Sequence, residues 1–233
     1  MSTQPPPLVL ASASPRRREL LRYLTPSFRI VVTNAEEQWQ DAAPASVIRS
    51  LPQANVPLTD HPSLTAWYKV RIACTETPDS VIIGADTIVV LDGLVLNKPT
   101  TPDDACSMLQ RLSGQTHTVY TGIVVVSVQQ QTWFDVVASE VTIAPLSRTV
   151  IEDYVNTGEP LDKAGAYGIQ GLGGQLVQSV TGSYTNVVGL PLTTVHQLLA
   201  FAGIPNLVDP SDAYQHWLSA QGKEPLPCPP TLP

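Results

Sequence analysis

The chain has 233 residues, 43% hydrophobic and 14% charged, with 20 acidic against 13 basic side chains and a formal net charge of −7. That length supplies a sizeable core in one large domain or two small lobes. The acidic balance argues against a nonspecific nucleic-acid binder, and no apolar run approaches the ~20 residues that cross a bilayer.

Residues 1–7 form a proline-rich tail without the basic-then-apolar order of a signal peptide. LVLAS (8–12) reads as a buried strand running straight into a helix. Ser14 caps that helix and Pro15 fits its first position, while Leu20, Leu21 and Leu24 make an apolar stripe. Arg16, Arg17 and Arg18 then fill the first turn, where the macrodipole is already positive and prefers acids. TPDDACSMLQRLSG opens the same way, with Thr101 and Pro102, but carries Asp103 and Asp104 in its first turn. Clustered arginines at one helix start in an acidic protein point to a bound small anion, held by free amides and guanidinium forks. Ser12 and Ser14 add hydroxyls. A solvated basic face is the alternative, at a cost of roughly 0.3–1 kcal/mol per charge.

From Asp41 to Ser63 four prolines predict loops or broken helices. A helix is expected over 64–76, with Trp67, Val70 and Cys74 on one face. SVIIGADTIVVLDGLVLNKP (80–99) reads as a hairpin turning at Asp92-Gly93, where both turn positions require positive φ. A helix over 102–113 should stop at Gly114. Two β-branched strands follow, joined by the glutamine run 129–131, then a Ser147-capped helix before Gly158. Residues 167–189 are glycine-punctuated loop and strand, and 190–204 a helix. The pattern predicts an α/β fold with a mixed sheet. Residues 8–204 form its body, and 205–233 an extension ending in a disordered tail, with five prolines among the last nine residues.

Three segments carry candidate chemistry. In GADT (84–87), Asp86 sits at the end of an apolar strand, where a carboxylate can act as general base toward water or bind a divalent ion. Thr87 adds a hydroxyl. An aspartate satisfied by turn amides is the competing reading. Lys69 and Lys98 supply cations, although lone lysines are normally surface residues. Glu36 and Glu37 are either metal ligands or a solvated acidic pair. GEPLDKAGAYGIQG (158–171) has four glycines in fourteen residues, which implies backbone held close to a ligand or strand. Gln170 there offers donor and acceptor for a base edge. The four histidines show no metal-ligand spacing, and Cys74, Cys106 and Cys228 have no CxxC pair, which reads as reduced thiols in a cytoplasmic protein.

Taken together, LASASPRRRELL, VIIGADTIVVLDGLVLNKP with LSGQTHTVYTG, and YVNTGEPLDKAGAYGIQGLGG with NVVGLPL resemble the Maf family of nucleoside triphosphate pyrophosphatases, block by block and in order. The resemblance implies an elongated mixed sheet with flanking helices, distantly similar to inosine triphosphate pyrophosphatases, two lobes around a cleft, and a homodimer. It implies cleavage of a nucleoside triphosphate to monophosphate and pyrophosphate with Mg²⁺ or Mn²⁺. By the same resemblance Asp86 is the proton acceptor for water, and Lys69 and Lys98 are the cleft lysines; on the metal-ligand reading of the acidic pair, Glu37 would join Asp86 in holding the divalent ion. Ser12, Arg16 and Arg17 bind phosphate, and Arg16, Thr87 and Gln170 bear on substrate choice. Gln in YGIQG resembles the branch preferring dTTP and UTP, whereas the branch acting on 7-methyl-GTP is acidic there. A helix continuous up to a Lys-Ala pair is usual in the family; here the preceding stretch is proline-broken and Val70 follows Lys69. A non-catalytic, nucleotide-binding regulator of cell division is the other functional reading, and an RNA-binding α/β domain the third, weakened by only 6% aromatic residues.

Overall fold

Apolar residues on both faces of the first strand predict that it is covered on both sides, and the computed structural model, which describes residues 5–33 and 42–222, has it so. β1 (Leu8–Ala11) lies between β2 (Arg29–Val31) and β3 (Val81–Leu91), parallel to both. The sheet continues from β3 antiparallel through β5 (Thr116–Val126), β6 (Thr132–Ile143) and β7 (Val177–Thr181). β4 (Leu94–Leu96) folds back on β3, with Asp92 at φ 51° and Gly93 at φ 77° as the expected turn. This is the mixed α/β sheet that the sequence predicts, with seven strands among the described residues and helices on both faces.

One face of the sheet packs the larger core. Leu8 and Leu10 of β1, Ile83 and Ala85 of β3 and Ile123 of β5 meet Leu20, Leu21 and Leu24 of α1 (Pro15–Leu24) there. The same core takes in α4 (Pro102–Leu112), α5 (Arg148–Asn156), α6 (Tyr184–Val188), α7 (Leu192–Phe201) and α8 (Pro210–Ala220). Val9, Ala11, Ile82 and Val124 point to the opposite face and pack on α3 (Pro62–Glu76). A short α2 (Ala45–Ser50) and a 3₁₀ turn (Leu58–Asp60) precede α3.

Among the described residues the proline-rich stretch holds only these short pieces, as expected, and α3 covers the expected 64–76, beginning two residues earlier because Pro62 fits its first turn. His61 is its N-cap. Its Nδ1 accepts from the Ser63 amide at 3.2 Å, and its Nε2 donates to the Pro52 carbonyl at 2.9 Å. Helix α7 is shorter than expected at both ends, starting after Pro191 and stopping before Gly203 at φ 86°. Among the described residues no helix is long and apolar enough to cross a membrane, and Cys74 and Cys106 are free thiols.

Candidate active site

The site begins as a gap in the sheet edge. β1 pairs with the first half of β3 up to Ala11↔Gly84, and β4 pairs with its last residues from Val89↔Leu96 onward. Between them, Ala85 to Ile88 have no strand neighbour on that edge among the described residues, while β5 covers their other edge without interruption. Leaving β1, the chain turns through Ser12 into the N-terminus of α1. Leaving β4, it passes Asn97 and Lys98. Strand ends that diverge in this way open a crevice beside the sheet, the usual place for ligands in α/β proteins. Here it is a cleft of about 1030 Å³.

Strand alternation sends Asp86 and Thr87 to opposite faces of β3. Asp86 meets α3, where Lys69 Nζ donates to its Oδ1 at 2.6 Å, with side-chain exposures of only 12% and 17%. That approach needs α3 close to the sheet, and two glycines permit it. A Cβ on Gly84 would lie 2.9 Å from the Ala66 carbonyl oxygen, and one on Gly122 would lie 2.1 Å from the Ser63 nitrogen. Thr87 faces the other layer. Arg17 Nη2 donates to its Oγ1 at 2.9 Å, and that oxygen also pairs with Thr121 Oγ1 at 2.9 Å. Thr121 donates onward to the Asn186 carbonyl, and Arg17 Nε to the Gly189 carbonyl, both at 2.9 Å. The Ser14 hydroxyl caps α1 by accepting from the Arg17 amide, as expected.

Eight of the sequence-derived site residues, Ser12, Arg16, Arg17, Lys69, Asp86, Thr87, Lys98 and Gln170, line this one cleft. Glu36 and Glu37 lie outside the described residues. Arg18 is exposed, on the outer side of α1. Sequence reasoning passed over Lys163, Glu159 and Asp162, which form the facing wall. Asp162 pairs with Lys163 and lies 3.7 Å from Arg16. Burial would raise the Asp162 carboxyl, but the Lys163 ammonium and the Arg16 guanidinium hold it below the ordinary aspartate value. Their signal in the sequence was weak, because GEPLDKAG looks like any polar turn until it folds against α1. Among the described residues the cleft wall carries five basic side chains against four acidic ones, in a chain of net charge −7. This concentration of cations fits a polyanionic ligand.

A magnesium-type cation fits the donors present. Such ions take one or two carboxylates and complete their shell with phosphate oxygens and water. Asp86 Oδ2 accepts no hydrogen bond from another described residue and so remains open to one. Among the described residues no three histidine, cysteine or acidic side chains gather as an all-protein metal cage.

Comparison with known proteins bears on the same segments. The profile of the Maf family, described as Maf-like protein, matches residues 7–202. The chain belongs to the Maf family. This Maf chain is 48% identical over 198 residues to the dTTP/UTP pyrophosphatase of Moorella thermoacetica, covering 84% of this chain and 95% of the relative. It is 44% identical to the enzyme of the same name from Symbiobacterium thermophilum, covering 85% and 95% of the two chains. With that of Photorhabdus laumondii it shares 46% identity, over 82% and 92%. All of the cleft residues named above fall inside the Maf match, and α8 lies beyond it.

Proposed function

We propose that this Maf protein is a nucleoside triphosphate pyrophosphatase that hydrolyses dTTP, UTP or modified pyrimidine nucleotides to the monophosphate and pyrophosphate. One observation carries the reading. The Lys69–Asp86 pair and the Arg17–Thr87 contact stand on opposite faces of β3 in a single cleft at the N-terminus of α1. They do so in a chain 44–48% identical to relatives named for this activity.

The triphosphate lies against the α1 amides and Ser12, with Arg16, Arg17 and Lys98 offsetting its charge. Lys69 fixes the Asp86 carboxylate through Oδ1, and that carboxylate takes the proton of the attacking water. The water oxygen forms a new bond to one phosphorus of the α–β anhydride, and the bridging P–O bond breaks on its far side. A divalent ion held by Asp86, with Glu37 as its second protein ligand, supplies further charge neutralisation when bound. Gln170 and Thr87 bear on the choice of nucleotide. The working form is a cytoplasmic homodimer in which residues 8–204 carry the catalysis and 205–233 are an extension.

The test is pyrophosphate release across a panel of triphosphates with Mg²⁺ or Mn²⁺. Turnover of dTTP and UTP is the expected result. Asp86→Asn should lose roughly 10²–10⁴-fold in kcat while still binding nucleotide. An unchanged rate in that variant overturns the role given to Asp86, and no release from any triphosphate overturns the enzyme reading.

A further inference from the structure

The turn that carries Gln170 is clamped from both flanks by side chains outside it. Gly168 and Gly171 close the turn, with the Gly171 amide donating to the Gly168 carbonyl at 3.2 Å, so Gln170 stands at its tip. On the upstream flank the Gly168 amide donates to the Tyr154 hydroxyl at 3.1 Å. On the downstream flank the Leu172 amide donates to Glu159 Oε2 at 2.9 Å, and the Gly173 amide to Glu159 Oε1 at 3.1 Å. The two clamps are joined, because the Tyr154 hydroxyl itself donates to Glu159 Oε1 at 2.9 Å. A third contact, from Tyr184 Oη to the Ile169 carbonyl at 3.2 Å, holds the middle of the turn.

The carboxylate also fills the volume where Gly171 lacks a side chain. A Cβ on Gly171 would stand 2.4 Å from Glu159 Oε2, so a side chain at 171 would push the carboxylate off the amides it holds. Lys163 closes the same corner, donating from Nζ to the Glu159 carbonyl at 3.1 Å. Burial would raise the Glu159 carboxyl, yet the Gly173 and Leu172 amides and the Tyr154 hydroxyl hold it below the ordinary glutamate value. An ionised carboxylate accepting three hydrogen bonds is a stiff anchor, since charge-assisted bonds are about twice as strong as neutral ones.

From this geometry we infer that Glu159, acting with Tyr154, is a positioning residue for nucleotide selection, holding the Gln170 turn at a fixed place in the cleft wall. The inference rests on the pyrophosphatase reading above and extends it to residues that do not touch the reacting phosphates. A side chain that reads a base edge discriminates only if its backbone cannot drift, because a displacement of an ångström forfeits the hydrogen bond that separates one base from another.

Glu159→Gln tests it in the full-length chain. A glutamine oxygen cannot accept all three bonds, and its amide would set a donor against a backbone N–H. The readout is the ratio of kcat/KM for dTTP to that for dATP. In Glu159→Gln this ratio should fall roughly tenfold, the worth of the hydrogen bond between Gln170 and the base that the displaced turn forfeits. The change should lie mainly in KM for dTTP. Tyr154→Phe, which keeps the ring and removes the hydroxyl, should move the ratio in the same direction and serves where the first variant does not fold. An unchanged ratio accompanied by equal losses on both nucleotides means that Glu159 only supports the fold, and overturns the inference. A wild-type enzyme that is active without preferring either base overturns it too, leaving the pyrophosphatase reading intact. A wild type that cleaves no triphosphate overturns both.

Discussion

Arg17 is the most buried of the three arginines that open α1, at 9% exposure, and the electrostatic oddity of that first turn is settled one side chain at a time. Its guanidinium bridges the Gly189 carbonyl and the Thr87 hydroxyl, tying α1 to the end of α6 and to the centre of β3. Arg16 faces Asp162 across the cleft. Arg18 is exposed and makes no ion pair among the described residues. The unfavourable macrodipole contribution of up to about 1 kcal/mol per charge is thus outweighed at Arg17 by buried hydrogen bonds from a charged group, each about 1.5–3 kcal/mol. Lysine cannot reproduce the fork, since a single ammonium offers a point donor where two acceptors lie in different directions. Arg17→Lys should therefore destabilise the fold by about 2 kcal/mol, read as a lower urea midpoint at unchanged m-value.

Helix α3 and the sheet beneath it set the Lys69–Asp86 pair. Gly84 and Gly122 lie on the same face of neighbouring strands, Gly84 opposite Val124 and Gly122 opposite Asp86, and together they form a smooth floor on which α3 rests by its backbone. Val70 is fully buried and lies against Gly84, which explains how a residue larger than alanine is accommodated after Lys69. A methyl at Gly122 would meet Pro62 and Ser63 main-chain atoms at 2.1–2.6 Å, and these cannot rotate away as a side-chain tip could. Gly122→Ala should cost roughly 1–3 kcal/mol of stability by overpacking. It should also lower kcat, because lifting the first turn of α3 carries Lys69 away from Asp86; denaturant titration and steady-state kinetics on one preparation check both. On the far layer, α8 buries Trp217 and donates from its indole to Glu19 Oε1 at 3.0 Å, so the helix beyond the Maf match packs on the outside of the arginine helix.

Across the whole molecule, the split edge of β3 joins two separately packed layers, and polar groups buried in and around them make the fold sensitive to acid. His117 is buried on β5 with Nε2 paired to the Tyr167 hydroxyl at 2.8 Å, and burial pushes its pKa down from 6.5 to about 4. Below pH 6.5 the unfolded chain therefore takes up a proton that the folded chain refuses, so stability should fall as pH drops from about 6.5 to about 4. Glu159 and Asp162, both held below their ordinary values, add a further loss as pH falls through their folded-state values. Urea midpoints measured between pH 7 and pH 4 should decline, and His117→Gln should flatten the upper part of that decline.

What the sequence determined by itself is whatever depends on neighbours along the chain. The Ser14 and Thr101 caps, the Asp92-Gly93 turn, the 2.0 and 3.6 periodicities and the order of the family blocks are local, and the strands and most helices follow from them. The helix through Lys69 was legible over 64–76, and only its start was missed, because Pro62 reads as a break until it is seen in the first turn. Tertiary structure alone decided the rest. Ladder register left Ala85 to Ile88 uncovered on one edge, close packing on Gly84 and Gly122 brought Lys69 to Asp86, and the return of residues 159–173 faced Glu159, Asp162 and Lys163 toward α1. Those partners are separated by 17 to about 150 positions in the chain. The physical reason is that a hydrogen bond or steric fit between such distant residues has no periodic trace along the sequence and exists only once the layers have packed.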